Sequence, residues 1–340
     1  MVNIRGYITT NFTKSFLTIF LPFFLIISLV YLVKIAALTS QIKITFMELL
    51  TLYSYSVPDI IFYTLPLSFI AALANVLVKL STDNELIALY ALGLKSSRIL
   101  HSLFVVSILF SLLLLTISFL AMPMSKQLYK SFKQEKKAEA KLNIVPGKLG
   151  QKFGEYYIYV KEKQDDETFI DIVIYNRSDM NNEQFFAAKK GHLNKTKGRT
   201  SLLLNNGYGY TYSSDTLQQA KYKTLEAFDT SKKQVYHFED TIAYWKKADQ
   251  DKKIRHRLFF FLFISLIPVL ALYFVAAFSM INPRYQSNHS FIVIFFTTLM
   301  LYLLASSLEK WGNISLVSAA LVITFGGGYA LFQKRVARYF

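Results

Sequence analysis

Residues 81–98 read STDNELIALYALGLKSSR. They separate two long apolar runs, IIFYTLPLSFIAALANVLV (60–78) and ILHSLFVVSILFSLLLLTISFLAMPM (99–124). Each run is long enough to cross the hydrocarbon core of a bilayer, which takes about 20 apolar residues. A link between two such spans needs only a few polar residues, yet this one carries a helix signature. Thr82 and Glu85 fit the pattern [ST]-x-x-[DE], with Thr82 as N-cap and Glu85 reaching back from the third helical position. Leu86, Leu89, Tyr90 and Gly93 fall on one stripe at helical spacing. Gly93 sits where a helix would stop. A helix of about ten residues is marginal alone in water. Its apolar stripe therefore needs a cover: the bilayer surface, the chain's own spans or another protein.

Working outward, six spans are expected: Ser15–Val33, Pro58–Val78, Ile99–Met122, Leu258–Met280, Phe291–Leu308 and Ile314–Phe332. The first is expected to be a span rather than a cleaved signal peptide, because its apolar run is too long for an h-region and Lys34 follows it. The chain of 340 residues is 53% hydrophobic and only 18% charged, below the share of about 25% usual for soluble chains. The fold class expected is a helical membrane protein of 3+3 spans with an inserted all-β, jellyroll-like domain. Spans one to three and the link helix 82–93 occupy 1–124, the β domain 125–257, and spans four to six 258–340.

Short-loop cations set the orientation. Arg5, Lys14, Lys79, Lys95, Arg98, Arg284, Lys334, Arg335 and Arg338 fall on one side, and only Lys34, Lys43 and Lys310 on the other. Both termini and the 81–98 link are thus expected in the cytoplasm, with the β domain outside. The formal charge of +16 suits anionic partners, although most of the lysines read as a solvated surface and topology signals.

Within the insert, Lys126–Lys141 continues span three as a charged helix. Beyond it lie strand-like segments: EYYIYVKEK, TFIDIVIYN, QFFAAKKGHL, TSLLLNNGYGYTY, KYKTLEAF and KQVYHFED. Strand alternation puts Ile170, Ile172 and Ile174 on one face, a candidate lining for acyl chains as well as for an ordinary core.

Catalytic chemistry finds little footing here. There is no cysteine, the five histidines have no ligand spacing, and there is no GxSxG elbow. No catalytic residue, metal or cofactor is expected. ALGLKSS at 91–97 is not a phosphate loop, because Leu94 separates Gly93 from Lys95 and the upstream glycine is missing. The span middles lack Asp, Glu, Lys and Arg, so an ion-coupled path is not apparent. Work done by this chain would draw its energy from a partner.

VPDIIFYTLPLSF (57–69), LSTDNELIALYALGLKSSRI (80–99) and AAFSMINPR (276–284) resemble the LptF/LptG (YjgP/YjgQ) permeases of the lipopolysaccharide ABC exporter. The order of three spans, β domain and three spans is also similar, and LPLS looks closer to LptF. The resemblance implies a non-catalytic inner-membrane subunit of outer-membrane biogenesis. Its partners would be an LptB-like cytoplasmic ATPase, a second LptF/LptG-type subunit, LptC/LptA-like periplasmic β proteins and lipopolysaccharide; nucleic acid is not among them. It implies that the 82–93 helix is the coupling helix, with Glu85 contacting the ATPase beside Leu86, Leu89, Tyr90 and Gly93. Spans one and five would form lateral gates. Lys34, and more weakly Lys43, are headgroup candidates at the outer end of span one. The alternative of another class is an envelope-assembly scaffold whose β domain binds protein and needs no ATPase.

Overall fold

The computed structural model describes residues 4–39, 44–141, 144–153, 156–164, 168–179, 182–196, 199–213, 216–228, 237–281 and 290–338. The chain divides into two compact units, one holding Met1–Ser40, Thr45–Lys130 and Phe238–Phe340, the other built mainly of Ser131–His237.

The first unit is helical. Its elements are α1 (Ile4–Thr39), α2 (Phe46–Thr82), α3 (Glu85–Ala91) and α4 (Ser96–Thr116), the last continuing through a π turn at Ile117–Ala121 into α5 (Met122–Lys141), which belongs to this unit as far as Lys130. After the β unit come α6 (Thr241–Lys246), α7 (Lys252–Ser279), α8 (Ser290–Trp311) and α9 (Ile314–Phe332), the last followed by a π turn at Gln333–Ala337. Among the described residues, six helices are long and apolar enough to cross a membrane, as expected: α1, α2, α4–α5, α7, α8 and α9. The helices outrun the apolar windows at their ends. Span two starts at Phe46 rather than Pro58, because Thr45 caps it: its Oγ1 accepts from the Glu48 amide at 3.4 Å, and its own amide donates to Glu48 Oε2 at 2.9 Å.

The middles of α2 and α7 form the core of the unit, with Phe69, Leu73, Leu77, Ile264, Ile267 and Leu272 fully buried. A cluster of Phe12, Phe16, Phe69 and Phe110 pins the early turns of α1 against α2 and α4. Further along α1, Leu25, Ile26, Leu29 and Val33 are each more than 60% exposed, a face suited to lipid. A Cβ at Gly328 would press on Phe274, so the glycine lets α9 approach α7 closely.

Pro123 explains one link in this unit. It has no N–H, so the Phe119 carbonyl four residues earlier loses its helical donor. Trp245 Nε1 of α6 fills the gap, donating to that carbonyl at 2.9 Å. Next to it, the Ser118 and Ser265 hydroxyls meet at 3.1 Å.

The second unit holds one antiparallel sheet: β1 (Gln151–Phe153), β2 (Tyr156–Lys163), β3 (Thr168–Asp179), β4 (Asn182–Thr196), β5 (Arg199–Ser213) and β6 (Thr216–Phe228), paired in chain order. The expected all-β domain is therefore present; its described strands pair antiparallel and follow one another as a meander, without the crossover of a jelly roll's Greek keys. β2 to β6 match five expected strands. Of the sixth, KQVYHFED, residues 237–240 are not in a strand and 233–236 lie outside the described residues, while β1 was not expected.

One row crosses this sheet with a change of phase. The ladders pair Val160 with Ile172 and Glu162 with Ile170, Ile172 with Ala188 and Ile170 with Lys190, Ala188 with Gly207 and Lys190 with Asn205, and Gly207 with Tyr222 and Asn205 with Thr224. Between these pairs lie Lys161, Asp171, Lys189, Asn206 and Lys223, all exposed and none paired in the ladder. Asp171 and Asn206 adopt left-handed φ values of 51° and 55°, which Asp and Asn tolerate better than other non-glycine residues. Alternation flips across the row: Ile172, Ile174 and Gly207 are buried on one side of it, and Phe169, Leu202 and Leu204 on the other. Both halves nevertheless supply one core of Ile158, Val160, Phe169, Ile172, Leu202 and Leu204. Gly207 permits the close approach beside the row, where a Cβ would overlap the Ala187 carbonyl and the Tyr222 ring.

Candidate functional site

α2 ends at Thr82, and Asn84 turns the chain with a left-handed φ of 60°. α3 then runs seven residues, Glu85–Ala91. Its end is a Schellman motif: Gly93 N–H donates to Tyr90 O at 2.9 Å and Leu94 N–H to Leu89 O at 3.1 Å, with Gly93 at φ +79°. The stop expected at Gly93 is thus built as its sequence suggests.

The start differs from expectation. Thr82 is the last residue of α2, and its Oγ1 donates to Lys79 O at 3.2 Å. Asn84 is the N-cap of α3 and makes no side-chain cap bond. The box expected at Thr82 and Glu85 does not form, since the left-handed Asn84 directs the chain away from it. Instead both Glu85 carboxylate oxygens accept from the Tyr7 hydroxyl of α1, at 2.8 Å for Oε2 and 3.0 Å for Oε1.

The apolar stripe is covered by the chain's own spans. Leu86 is 2% exposed within the helical core, and Leu89 and Tyr90 pack against that core. Burial pushes the Tyr90 hydroxyl above its ordinary pKa. A neighbouring stripe of Glu85, Ala88 and the C-cap Leu92 (i, i+3, i+7) is less covered: Glu85 is half-buried, Ala88 exposed and Leu92 78% exposed. Ala88 and Leu92 escaped the sequence reading because the stripe that needs burial is easier to detect than the one left free.

A second tie fixes the α2–α3 junction. Ser81, fully buried, donates to Leu77 O at 2.9 Å and to Ser279 O at 3.0 Å, and accepts from the Ile281 amide at 3.2 Å. The ends of α2 and α7 are joined at the point where α3 departs. Arg335 lies 4.3 Å over the Phe278 ring beside this junction. The Asn-Pro-Arg link after Ile281 lies outside the described residues.

Of the headgroup candidates, Lys34 is exposed near the far end of α1, its Nζ 5.0 Å from the Tyr31 ring. Lys43 lies outside the described residues. The structure adds an ion pair that the span reading missed: Lys126 of α5 and Asp59 of α2 stand 3.7 Å apart, with Lys126 also 5.3 Å over Phe261. Asp59 stood at the edge of the expected span, and the helix extends thirteen residues before it. In the β unit, Ile172 and Ile174 are buried at 1% and 0%, but Ile170 leaves their face because of the phase change at Asp171. Of the three candidates expected on one face, only Ile172 and Ile174 share it, and Phe169 takes the place of Ile170 in the core.

The model of the family described as lipopolysaccharide export system permease LptF/LptG matches residues 6–328. No curated protein matches the chain.

Proposed function

We propose that this chain, which belongs to the LptF/LptG family of lipopolysaccharide export system permeases, is an ATP-driven exporter's transmembrane subunit, with α3 as the grip for the motor. The observation that carries this reading is α3 itself. It is rooted by Leu86, Leu89 and Tyr90 in its own spans, and it leaves Ala88 and Leu92 exposed beside a half-buried Glu85. A short helix so anchored passes a push to α2 and α7 through the Ser81 junction.

In this reading an LptB-like ATPase binds α3 from the cytoplasm, a second LptF/LptG-type subunit completes the pair, and the β unit passes lipid to LptC/LptA-like proteins in the periplasm. Extraction opposes acyl burial of about 0.8 kcal/mol per CH₂. Over several chains this far exceeds thermal energy, which calls for a motor. The lipid's phosphates would meet Lys34 at the outer end of α1. There the ammonium already stacks on Tyr31 and has donors left for charge-assisted bonds. Ile172 and Ile174 remain candidates for an acyl lining.

The test is co-purification from membranes with and without Glu85→Gln. Gln still offers an oxygen to Tyr7 but removes the charge. The wild type should bring down an ATPase and a second six-span subunit, and the Gln variant should lose the ATPase alone. Absence of any ATPase with the wild type would replace this reading with the scaffold one.

A further inference from the structure

We infer that Tyr7 is a positioning residue for Glu85, holding the carboxylate ready for a basic side chain of the ATPase and tying the first span to the coupling helix. This rests on the reading of α3 given above. The geometry is specific. One phenolic proton is shared by two carboxylate oxygens at 2.8 and 3.0 Å. An ionised carboxylate offers about four lone-pair sites, so those turned away from Tyr7 stay open to a guanidinium or ammonium. Glu85 has no capping duty that would otherwise fix it, because the cap of α3 is Asn84. Without Tyr7 the side chain would lose its fixed rotamer, and ordering it would fall to the partner.

Among the described residues, the contact stands with two other polar rungs between α1 and the α2–α3 segment. Asn75 Nδ2 donates to Ser15 Oγ at 3.0 Å, and the Tyr53 hydroxyl to Ser28 Oγ at 2.9 Å. Those two lie along α2. The Tyr7 rung alone of the three reaches α3, so a displacement of α3 reaches α1 directly through it.

The experiment is a double-mutant cycle on the full chain with its second subunit in nanodiscs, titrated with the ATPase that co-purifies with the wild type. Tyr7→Phe removes one oxygen from a side chain that is 43% exposed, and its melting temperature should match the wild type. Its affinity for the ATPase should fall about five- to tenfold, in the range of an ordinary net hydrogen bond. Glu85→Ala should fall further, and the double variant should bind no more weakly than Glu85→Ala, since nothing is left to position. A silent Tyr7→Phe, or a double variant weaker by the product of the two single losses, overturns the proposal for Tyr7 while leaving Glu85 as the docking residue. Wild-type affinity in Glu85→Ala overturns the docking reading itself.

Discussion

Tyr222 reports on the β unit at the scale of a single hydroxyl. It donates to the Ala187 carbonyl at 3.1 Å, over the space that Gly207 leaves open. Desolvation raises its pKa above the ordinary phenol value of 10.0. The folded state therefore holds the proton more tightly than the unfolded chain does. This contribution is complete below pH 10 and is lost as pH rises through the folded pKa. Denaturant titrations should find the β unit weakening above about pH 10. Tyr222→Phe should be less stable by about 1 kcal/mol at neutral pH and show a shallower alkaline decline. Single residues also mark the reach of sequence reasoning. Thr45 and Thr82 both precede a glutamate by three positions, but only Thr45 closes a capping box. The motif is local, whereas the choice between them is made by Asn84 and by Tyr7, 78 positions away in the chain from Glu85. Likewise Lys126 looked like part of a solvated extension, and nothing near it in sequence points to Asp59.

At the scale of elements, α3 has two faces with opposite duties, and substitutions should separate them. Leu86→Ala removes a side chain buried in the span core and should cost about 2–5 kcal/mol, read as a lowered melting temperature in detergent. Leu92→Glu changes a residue that is 78% exposed and should leave melting within about 0.5 kcal/mol of the wild type while abolishing ATPase co-purification. Equal melting losses for both would mean that α3 has no free face. The six spans were legible because uninterrupted apolar runs dominate any local signal. Their ends were not, since polar turns such as 46–57 stay helical only through a cap and packing on neighbours. Strands β2 to β6 were legible from alternation, and the same rule failed at Ile170 because alternation presumes extended backbone and Asp171 is left-handed.

For the whole molecule, orientation is the property on which the functional reading depends. The cation bias of the short loops argues for α3 in the cytoplasm and the β unit outside. The chain has no cysteine, so single reporters can be introduced without background. Leu92→Cys should react with a membrane-impermeant maleimide only after the inner membrane is opened. Val173→Cys, in the β unit and 41% exposed, should react once the outer membrane alone is permeabilised. The reverse pattern would put α3 out of reach of any cytoplasmic motor.

The row from Lys161 through Asp171, Lys189 and Asn206 to Lys223 also restricts how such a sheet can change over generations. Because the strands reverse phase at one level, adding or deleting one residue within a strand would turn half of its side chains to the wrong face and misalign that strand with both neighbours. Length can vary freely only outside the paired strands. Relatives of this chain should therefore differ in the lengths of the connections while keeping the same number of residues on each side of the row.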